Sequence, residues 1–352
     1  MKAVASNSEA AIGLDIGSGS IKMAEVVLRG GKRFLKRTAI MDLPEHIIEE
    51  GMIVEEDLLG ELLSRMASQH GFSSSQVAVA LGGRSLFIRE VVFPRMSEAE
   101  LREAIHWDLE KYVPFSAEQL YFDFSVIGPG STEVDLRVLL VAVPRELVDA
   151  LVRVLHKAGL KPVAIEIAPL AVQRTLPLAQ DCMLIDLGSE VSLVTLFQKG
   201  SPVFARNIPI GGSQITKLIM AKKNLSWEEA ELLKFNGGIS DESLSRDVDG
   251  QVLRTEIISA MFELAGEIRR TIEYYQVQNR SVSILQVYLT GGGAKIDNMP
   301  EQLSLALELP VFVHDPLVDF EVAPSFNLES LKGVGPRMAI AIGLALRGVE
   351  KL

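Results

Sequence analysis

The chain is 352 residues long, 48% hydrophobic and 23% charged, with a formal net charge of −11 and a single cysteine, Cys182. That length and apolar content support about two domains of roughly 150 residues, each with a sizeable core. An acidic balance without any basic run argues against a nucleic-acid partner, and one cysteine excludes a disulfide framework and fits a reducing cytoplasm.

No stretch approaches the roughly 18 apolar residues needed to span a bilayer. Residues Met1 to Ala10 are small and polar, without a hydrophobic signal core, and read as a flexible N-terminal tail. Cys182 adjoins a very apolar strand and reads as an inert buried thiol. The histidines His46, His70, His106, His156 and His314 are scattered and lack metal-ligand spacing.

In chain order, Ile12 to Ser18 and Ile21 to Leu28 predict two strands around a Gly-Ser turn, followed by a third near Arg33 to Leu43. Glu55 to His70 predicts an amphipathic helix with Leu58, Leu59, Leu62, Leu63 and Met66 on one face, and Gln76 to Leu81 another strand. From Arg84 to Leu160 the order is β-α-β-β-α, read as a compact insert. Ser97 and Glu100 form a capping box at its first helix, and Pro144 opens its second.

A strand from Val163 and a helix near Pro169 to Leu176 follow. Met183 to Ser189 and Val191 to Phe197 then repeat the first hairpin. Gly211-Gly212 precedes a helix over Ser213 to Ala221, and a capping box of Ser226 and Glu229 opens a short helix from Trp227 to Lys234. A polar loop is expected over Phe235 to Gly250, then a long helix from Gln251 to about Gln278 with a buried stripe of Leu253, Ile257, Met261, Leu264, Ile268 and Ile272. Ile284 to Leu289 reads as a strand, Thr290 to Ala294 as a glycine turn, and Pro300 to Leu307 as a helix. Gly335-Pro336 starts a last helix, Met338 to Arg347, apolar nearly all round and therefore expected inside the protein.

The repeated hairpin carries the chemistry. Gly17 and Gly19 permit positive φ and bare backbone N–H groups against which a phosphate can lie. Ser18 and Ser20 add hydroxyl donors, and Lys22 can hold an ammonium over the same phosphates. Asp15 would repel an anion by itself, so its natural task is to hold Mg²⁺ through water. This is neither the dinucleotide fingerprint, which runs from strand into helix, nor a Walker loop, whose Gly-Lys-Ser/Thr ending is absent. Asp186, Gly188 and Ser189 repeat the carboxylate and donors, and Thr290-Gly291-Gly292-Gly293 offers a third backbone platform for a flat ring. Two half-domains facing one anionic, metal-associated ligand are the expectation. Glu231 and Lys234 share one helix face and read either as contacts to ribose and base or as a solvated ion pair.

These three motifs, in this order, resemble the actin-like ATPase superfamily. The resemblance implies an α/β fold of two lobes, each a duplicated mixed five-stranded sheet with helices, closing on ATP with Mg²⁺. The insert lies where the FtsA branch carries its displaced subdomain. Ala104 to Asp123, Glu263 to Gln276 and Ala339 to Arg347 resemble the PilM family of type IV pilus assembly. That likeness divides the chain into a first lobe (11–83, 161–181 and 336–352), the insert (84–160), a second-lobe core (182–225 and 284–335) and its outer subdomain (226–283). It matches Asp15, Gly17, Ser18, Gly19, Ser20 and Lys22 to the first phosphate loop, and Asp186, Gly188 and Ser189 to the second. Gly211, Gly212 and Lys217 fall near the nucleotide, while Glu231, Lys234 and Gly291 to Gly293 match the adenosine pocket. Glu166 falls where relatives place a glutamate near the attacking water, or serves as a structural group at the lobe connection.

The function implied is a cytoplasmic, ATP-loaded scaffold with slow or absent hydrolysis. It would bind the N-terminal peptide of PilN, and through PilN the inner membrane, PilO and the pilus motor ATPases; self-association is open. Alternatives are an FtsA-like polymerising division protein, a type II secretion cytoplasmic component and a small-molecule kinase. The chain stops soon after its last core helix, where FtsA continues into a basic membrane anchor, and the insert offers no positioned general base for a kinase.

Overall fold

The computed structural model describes residues 11–349 except 45, 50, 84–85, 131, 133, 178–180, 236–247, 279–283, 324–325 and 327. The expected tail over Met1 to Ala10, the first residue of the insert and most of the loop expected over Phe235 to Gly250 lie outside the described residues.

Along the chain come β1 (Ile12–Ile16), β2 (Ser20–Arg29), β3 (Lys32–Asp42), the short pair β4 (Ile48–Glu49) and β5 (Met52–Ile53), α1 (Glu56–Gln69) and β6 (Gln76–Leu81). Then follow β7 (Phe87–Pro94), α2 (Glu98–Tyr112), β8 (Leu120–Pro129), β9 (Asp135–Pro144) and α3 (Arg145–Lys157). Next are β10 (Lys161–Ile167), α4 (Ala168–Gln173), β11 (Cys182–Leu187), β12 (Ser192–Gln198), β13 (Ser201–Ile208), α5 (Gly212–Lys223) and α6 (Trp227–Phe235). The chain closes with α7 (Val248–Gln278), β14 (Val287–Thr290), a 3-10 turn (Gly292–Lys295), α8 (Met299–Leu307), β15 (Val311–Val313), β16 (Phe320–Val322) and α9 (Leu328–Val349).

These elements gather into two units. One holds the chain up to Gly82, Asp149–Leu176 and the part from His314 onward; the other holds Gly83–Val148 and Pro177–Val313. Among the described residues the first unit builds a sheet in the order β10-β6-β1-β2-β3-β16, and the second a sheet in the order β13-β12-β11-β14-β15. In both, an antiparallel hairpin is followed by parallel strands on its first edge (β6 and β10; β14 and β15). The duplicated five-strand topology is thus present twice, and the first copy gains β16 as a sixth, three-residue edge strand.

In the first unit α9 packs on the hairpin. Gly13 sits where any Cβ would collide with the α9 backbone at Ala341 and Ala345, and Gly343 where one would collide with Ala171 of α4. Met338 to Leu346 are buried, Arg337 and Arg347 flanking them less so, as an all-apolar helix requires. The helix begins ten residues before Met338, however, with Pro336 in its interior. An interior proline costs roughly 3 kcal/mol, offset here because the added turns bury Leu331 in a cluster with Val26, Leu35 and Leu346. β16 pairs in parallel with β3, Phe320 opposite Arg33. Residues 314–335, expected with the second lobe, therefore belong to the first unit; three residues of strand are too few to show a period. The unit boundary also falls within α3, at Asp149. The second half of that helix carries Arg153 and Lys157, which pair with Glu56 (2.7 and 3.3 Å) and Asp57 (Lys157, 2.7 Å) on α1.

In the second unit, the long helix α7 buries Leu253, Ile257, Met261, Leu264 and Ile268 against Met183, Ile185, Val194 and Leu289 of the sheet. It starts at Val248, earlier than the apolar stripe alone indicates. The insert has the expected strand and helix order. Its three-stranded sheet, β7-β9-β8, buries Val91, Phe93, Val138 and Leu140 under Leu101, Ile105 and Leu109 of α2. The capping box is formed: Glu100 Oε2 accepts the Ser97 N–H at 2.8 Å. Arg137 grips Glu90 through two bonds (2.7 and 2.9 Å) and reaches Gln198 of β12 at 3.3 Å. Among the described residues, no helix is long and apolar enough to cross a membrane.

His314 is 2% exposed with its ring against the Thr175 hydroxyl at 3.0 Å. Burial pushes its pKa down to about 4, against a smaller opposing pull from Asp315. The unfolded chain accepts this proton near pH 6.5 and the folded chain does not until about pH 4, so stability falls as pH drops through that window. Wild-type protein is expected to lose about 2 kcal/mol between pH 7 and 5 from this group. Urea titrations of His314→Gln across those pH values should show a slope shallower by that amount; an unchanged slope would refute the assignment.

Candidate functional site

The first hairpin ends β1 at Asp15, 8% exposed, directly opposite Lys22 on β2. Lys22 Nζ lies 3.0 Å from Asp15 Oδ2 and donates to the Ser20 carbonyl at 3.3 Å, so cation and carboxylate are already paired across the strand. The Gly17 N–H donates to the Ser20 carbonyl at 3.0 Å and closes the turn. Neither Gly17 nor Gly19 has a positive φ, and the Gly17 amide is engaged, which corrects two expectations. A Cβ at position 17 would stand 3.1 Å from Lys22 Nζ, so a side chain there would ask the end of the lysine to shift by a few tenths of an ångström.

The second hairpin repeats the turn, with the Gly188 N–H donating to the Val191 carbonyl at 3.2 Å. Asp186 faces Leu193 across the strand pair, the register position that Lys22 holds in the first copy. Carboxylate and turn are therefore duplicated; the cation is not. The turn also seats the start of α5. The N–H groups of Gly212 and Ser213 donate to the carbonyls of Gly188 and Ser189 at 2.9 and 2.8 Å, and a Cβ on Gly211 would collide with the Ser189 carbonyl. On the other side β14 runs parallel to β11 with Thr290 beside Asp186. The chain then turns at Gly291, φ +84°, where a Cβ would run into the Asp186 carboxylate and stand 2.6 Å from the Leu187 carbonyl.

Helix α6 completes the cluster. Lys234, 4% exposed, donates to Thr216 Oγ1 at 2.8 Å and to the Gly212 carbonyl at 3.4 Å, and pairs with Glu231. Thr216, fully buried on α5, bonds Glu231 in turn. The reading of Glu231 and Lys234 as a solvated ion pair is thereby excluded: the ammonium is inside, anchored to the first turn of α5. Thr216 was missed by sequence reasoning, although a threonine four residues after Gly212 places a hydroxyl one turn above the glycine. Behind Gly211 and Gly212 the packing leaves a cavity of only about 10 Å³, walled by Leu187, Ile210, Ile215 and Met261.

The second unit thus brings together Asp186, Gly188, Ser189, Gly211, Gly212, Glu231, Lys234 and Gly291 to Gly293. Lys217 does not join them. It is exposed on α5 beside a shallow groove of about 470 Å³ shared with Glu256, Ser259 and Glu263 of α7. In the first unit Glu166 is buried and held by the Arg174 fork (2.5 and 3.0 Å) and by Arg347. With both oxygens accepting guanidinium N–H groups, it joins β10, α4 and α9 and has the geometry of an anchor rather than of a base for water. Cys182 is buried and its thiol is pushed up to about 11 by burial, as the inert reading requires. Among the described residues no group of three or more His, Cys, Asp or Glu side chains forms a metal cage. One or two carboxylates with waters and phosphate oxygens are the usual protein share of a Mg²⁺ site, so such a site needs no cage.

The sequence model of the family described as "Type IV pilus assembly protein PilM" matches residues 13–349. A solved structure titled "PilM-PilN type IV pilus biogenesis complex" is similar over 97% of this chain and 99% of its own, at 28% identity and a TM-score of 0.85. The cell division protein FtsA of Streptococcus pneumoniae serotype 2 (strain D39 / NCTC 7466) is 25% identical over 329 residues, 82% of this chain and 72% of its own length. MreB5 of Spiroplasma citri, solved with AMPPNP, shares the fold at 14% identity and a TM-score of 0.52 over 96% of this chain and 95% of its own. The actin-like α/β fold is therefore established.

Buried Thr216 and Lys234 and half-buried Glu231 should behave as one unit. Glu231→Gln, which leaves the Lys234 ammonium buried with a weaker partner, is expected to cost about 2 kcal/mol. Adding Lys234→Met should recover much of that loss. Strict additivity in urea unfolding of the two single variants and the double variant would show Glu231 and Lys234 to be uncoupled.

Proposed function

Because the chain belongs to the type IV pilus assembly protein PilM family, we propose that it is a nucleotide-loaded scaffold of that machinery, binding ATP with Mg²⁺ and the N-terminal peptide of PilN. The observation that carries the nucleotide reading is the glycine-lined platform around Asp186. Gly188, Gly211, Gly291 and Gly293 let the hairpin, the start of α5 and the turn after β14 close on one another around Asp186, and a Cβ on Gly292 would meet no protein atom within 4 Å, so main chain there is left open to a polyanion or a flat base.

In this reading Ser189 with the turn at Gly188 faces phosphate from the second unit, and Glu231 and Lys234 fix the wall of the adenosine pocket. In the first unit the turn at Gly17, Ser18, Gly19 and Ser20, with Lys22, meets phosphate, which requires Lys22 to exchange Asp15 for a phosphate oxygen. Asp15 and Asp186 would hold the ion through water, and Mg²⁺ when bound neutralises charge on the phosphates. Lys217, exposed on α5, is a peripheral contact at most. ATP acts here by binding: a ligand that favours the folded form stabilises it by RT ln(1 + [L]/Kd), with no turnover required.

The complex solved with PilN supports PilN as partner of a similar chain; in this reading the protein works in the cytoplasm, peripheral to the inner membrane through PilN. Contacts to PilO, to the motor ATPases and to further copies of the chain follow as extensions of the same reading.

Purified protein is expected to carry ATP, released on acid precipitation and measured by chromatography, and Asp186→Ala to lose at least nine-tenths of it (about 1.4 kcal/mol or more of binding) while keeping a cooperative thermal transition. Full nucleotide occupancy in that variant would overturn the site. A synthetic PilN N-terminal peptide should bind with micromolar or better affinity in calorimetry; absence of heat and of competition would remove the pilus assignment without touching the nucleotide site.

A further inference from the structure

Helix α2 of the insert carries a side chain that the nucleotide site does not use. Trp107 is 82% exposed, turned away from Leu101, Ile105 and Leu109, which seat the helix on its sheet. An indole left in water is a large apolar surface of the kind concentrated at the centres of binding interfaces.

Its neighbours select the partner. Glu103 lies four residues before Trp107 and Glu110 three after, so both flank it on the helix surface, about 10 Å apart along the axis. The cations of the helix are already engaged. Arg102 pairs with Asp123 at 3.0 Å and lies over the Phe124 ring at 4.9 Å, and Lys111 pairs with Asp108 at 2.6 Å. Glu110 gives one oxygen to the Ala117 N–H at 3.4 Å, a contact that leaves its charge uncompensated. Glu100 is held in the capping box at the helix start. Lys111, four residues after Trp107, shares this face but is paired with Asp108, so among the described residues of α2 the exposed indole stands between two carboxylates on a face that is acidic on balance.

We propose that this face of α2 docks an arginine-bearing peptide segment of a partner protein, with a guanidinium stacked on the Trp107 indole and paired at its edge with Glu103 or Glu110. Guanidinium is suited to both contacts at once, since it stacks on aromatic faces and presents a planar fork to carboxylates. A phosphate-rich surface, whether nucleic acid or anionic lipid, would be repelled by the same two glutamates. The inference stands independently of ATP binding and of the pilus reading.

The test uses the full chain carrying Trp227→Phe, which leaves Trp107 as the one tryptophan of the two in the sequence. A short synthetic peptide of alternating arginine and serine is titrated at low and high salt, beside a peptide with glutamate in place of arginine. A saturable change in Trp107 emission is expected with the arginine peptide, weakened by salt and absent with the glutamate peptide. By calorimetry in the otherwise unaltered chain, Trp107→Ala and the pair Glu103→Gln, Glu110→Gln should each weaken binding at least about tenfold with unchanged thermal midpoints. Equal affinity for Trp107→Ala would show that the peptide binds elsewhere on an acidic surface and overturn the proposal, as would equal binding of the glutamate peptide or no saturable binding at all. Emission that changes with protein concentration alone, with dimers in sedimentation, would assign the face to a second copy and equally overturn it.

Discussion

The carboxylate of Asp186 is held where it is because position 291 has no side chain. β14 is hydrogen-bonded to β11 with Thr290 beside Asp186, and the chain must then leave the sheet past the carboxylate itself. Only a residue without a Cβ, and able to take φ +84°, can make that exit. The same closeness governs the other side, where Gly211 passes the Ser189 carbonyl and the amides of Gly212 and Ser213 bond back to the hairpin. Strand end, helix start and glycine turn are thus locked into one surface by backbone contacts, and the side chains displayed on it follow from that.

Among the described residues buried charge is paired, in ways that separate structural from functional candidates. Glu25 is fully buried on β2; burial alone would raise its pKa, but bonds from Lys36 and Ser73, with Arg37, hold it below the usual carboxylate range. Glu166 is clasped by two arginines, and Lys234 by a threonine, a glutamate and a carbonyl. Removing one member of such a set exposes the cost of a lone buried charge. The difference lies in where each set sits. Those of Glu25 and Glu166 lie between elements of the first unit's core, whereas that of Lys234 fixes the wall of a glycine-lined surface.

Much of this was legible in the sequence. Both hairpins, the capping boxes at Ser97 and Ser226, the apolar stripe of α7 and the order of elements in the insert follow from local periodicity and turn chemistry, and the structure has them. The superfamily reading rested on motif order and the family reading on the likeness of Ala104 to Asp123, Glu263 to Gln276 and Ala339 to Arg347, and the fold and family agree with both. What escaped were features set by tertiary contact. Pro336 looked like a helix start because an interior proline is locally unfavourable, yet burial of Leu331 extends the helix past it. β16 is too short to show alternation and exists only because β3 offers an edge. The glycines at 17 and 19 read as permitting a positive φ with bare N–H groups; neither takes one, and the Gly17 N–H closes the turn on the Ser20 carbonyl instead.

The chain has one cysteine, and it is walled into the second sheet with its thiol pushed up to about 11. At neutral pH virtually none of it is thiolate, so maleimides and similar reagents have nothing to attack. Any cysteine introduced at the surface would be the one reactive sulfur in the molecule. Fluorophores or spin labels can therefore be installed in each unit at will, and distances followed in solution, without first deleting a native residue from the core.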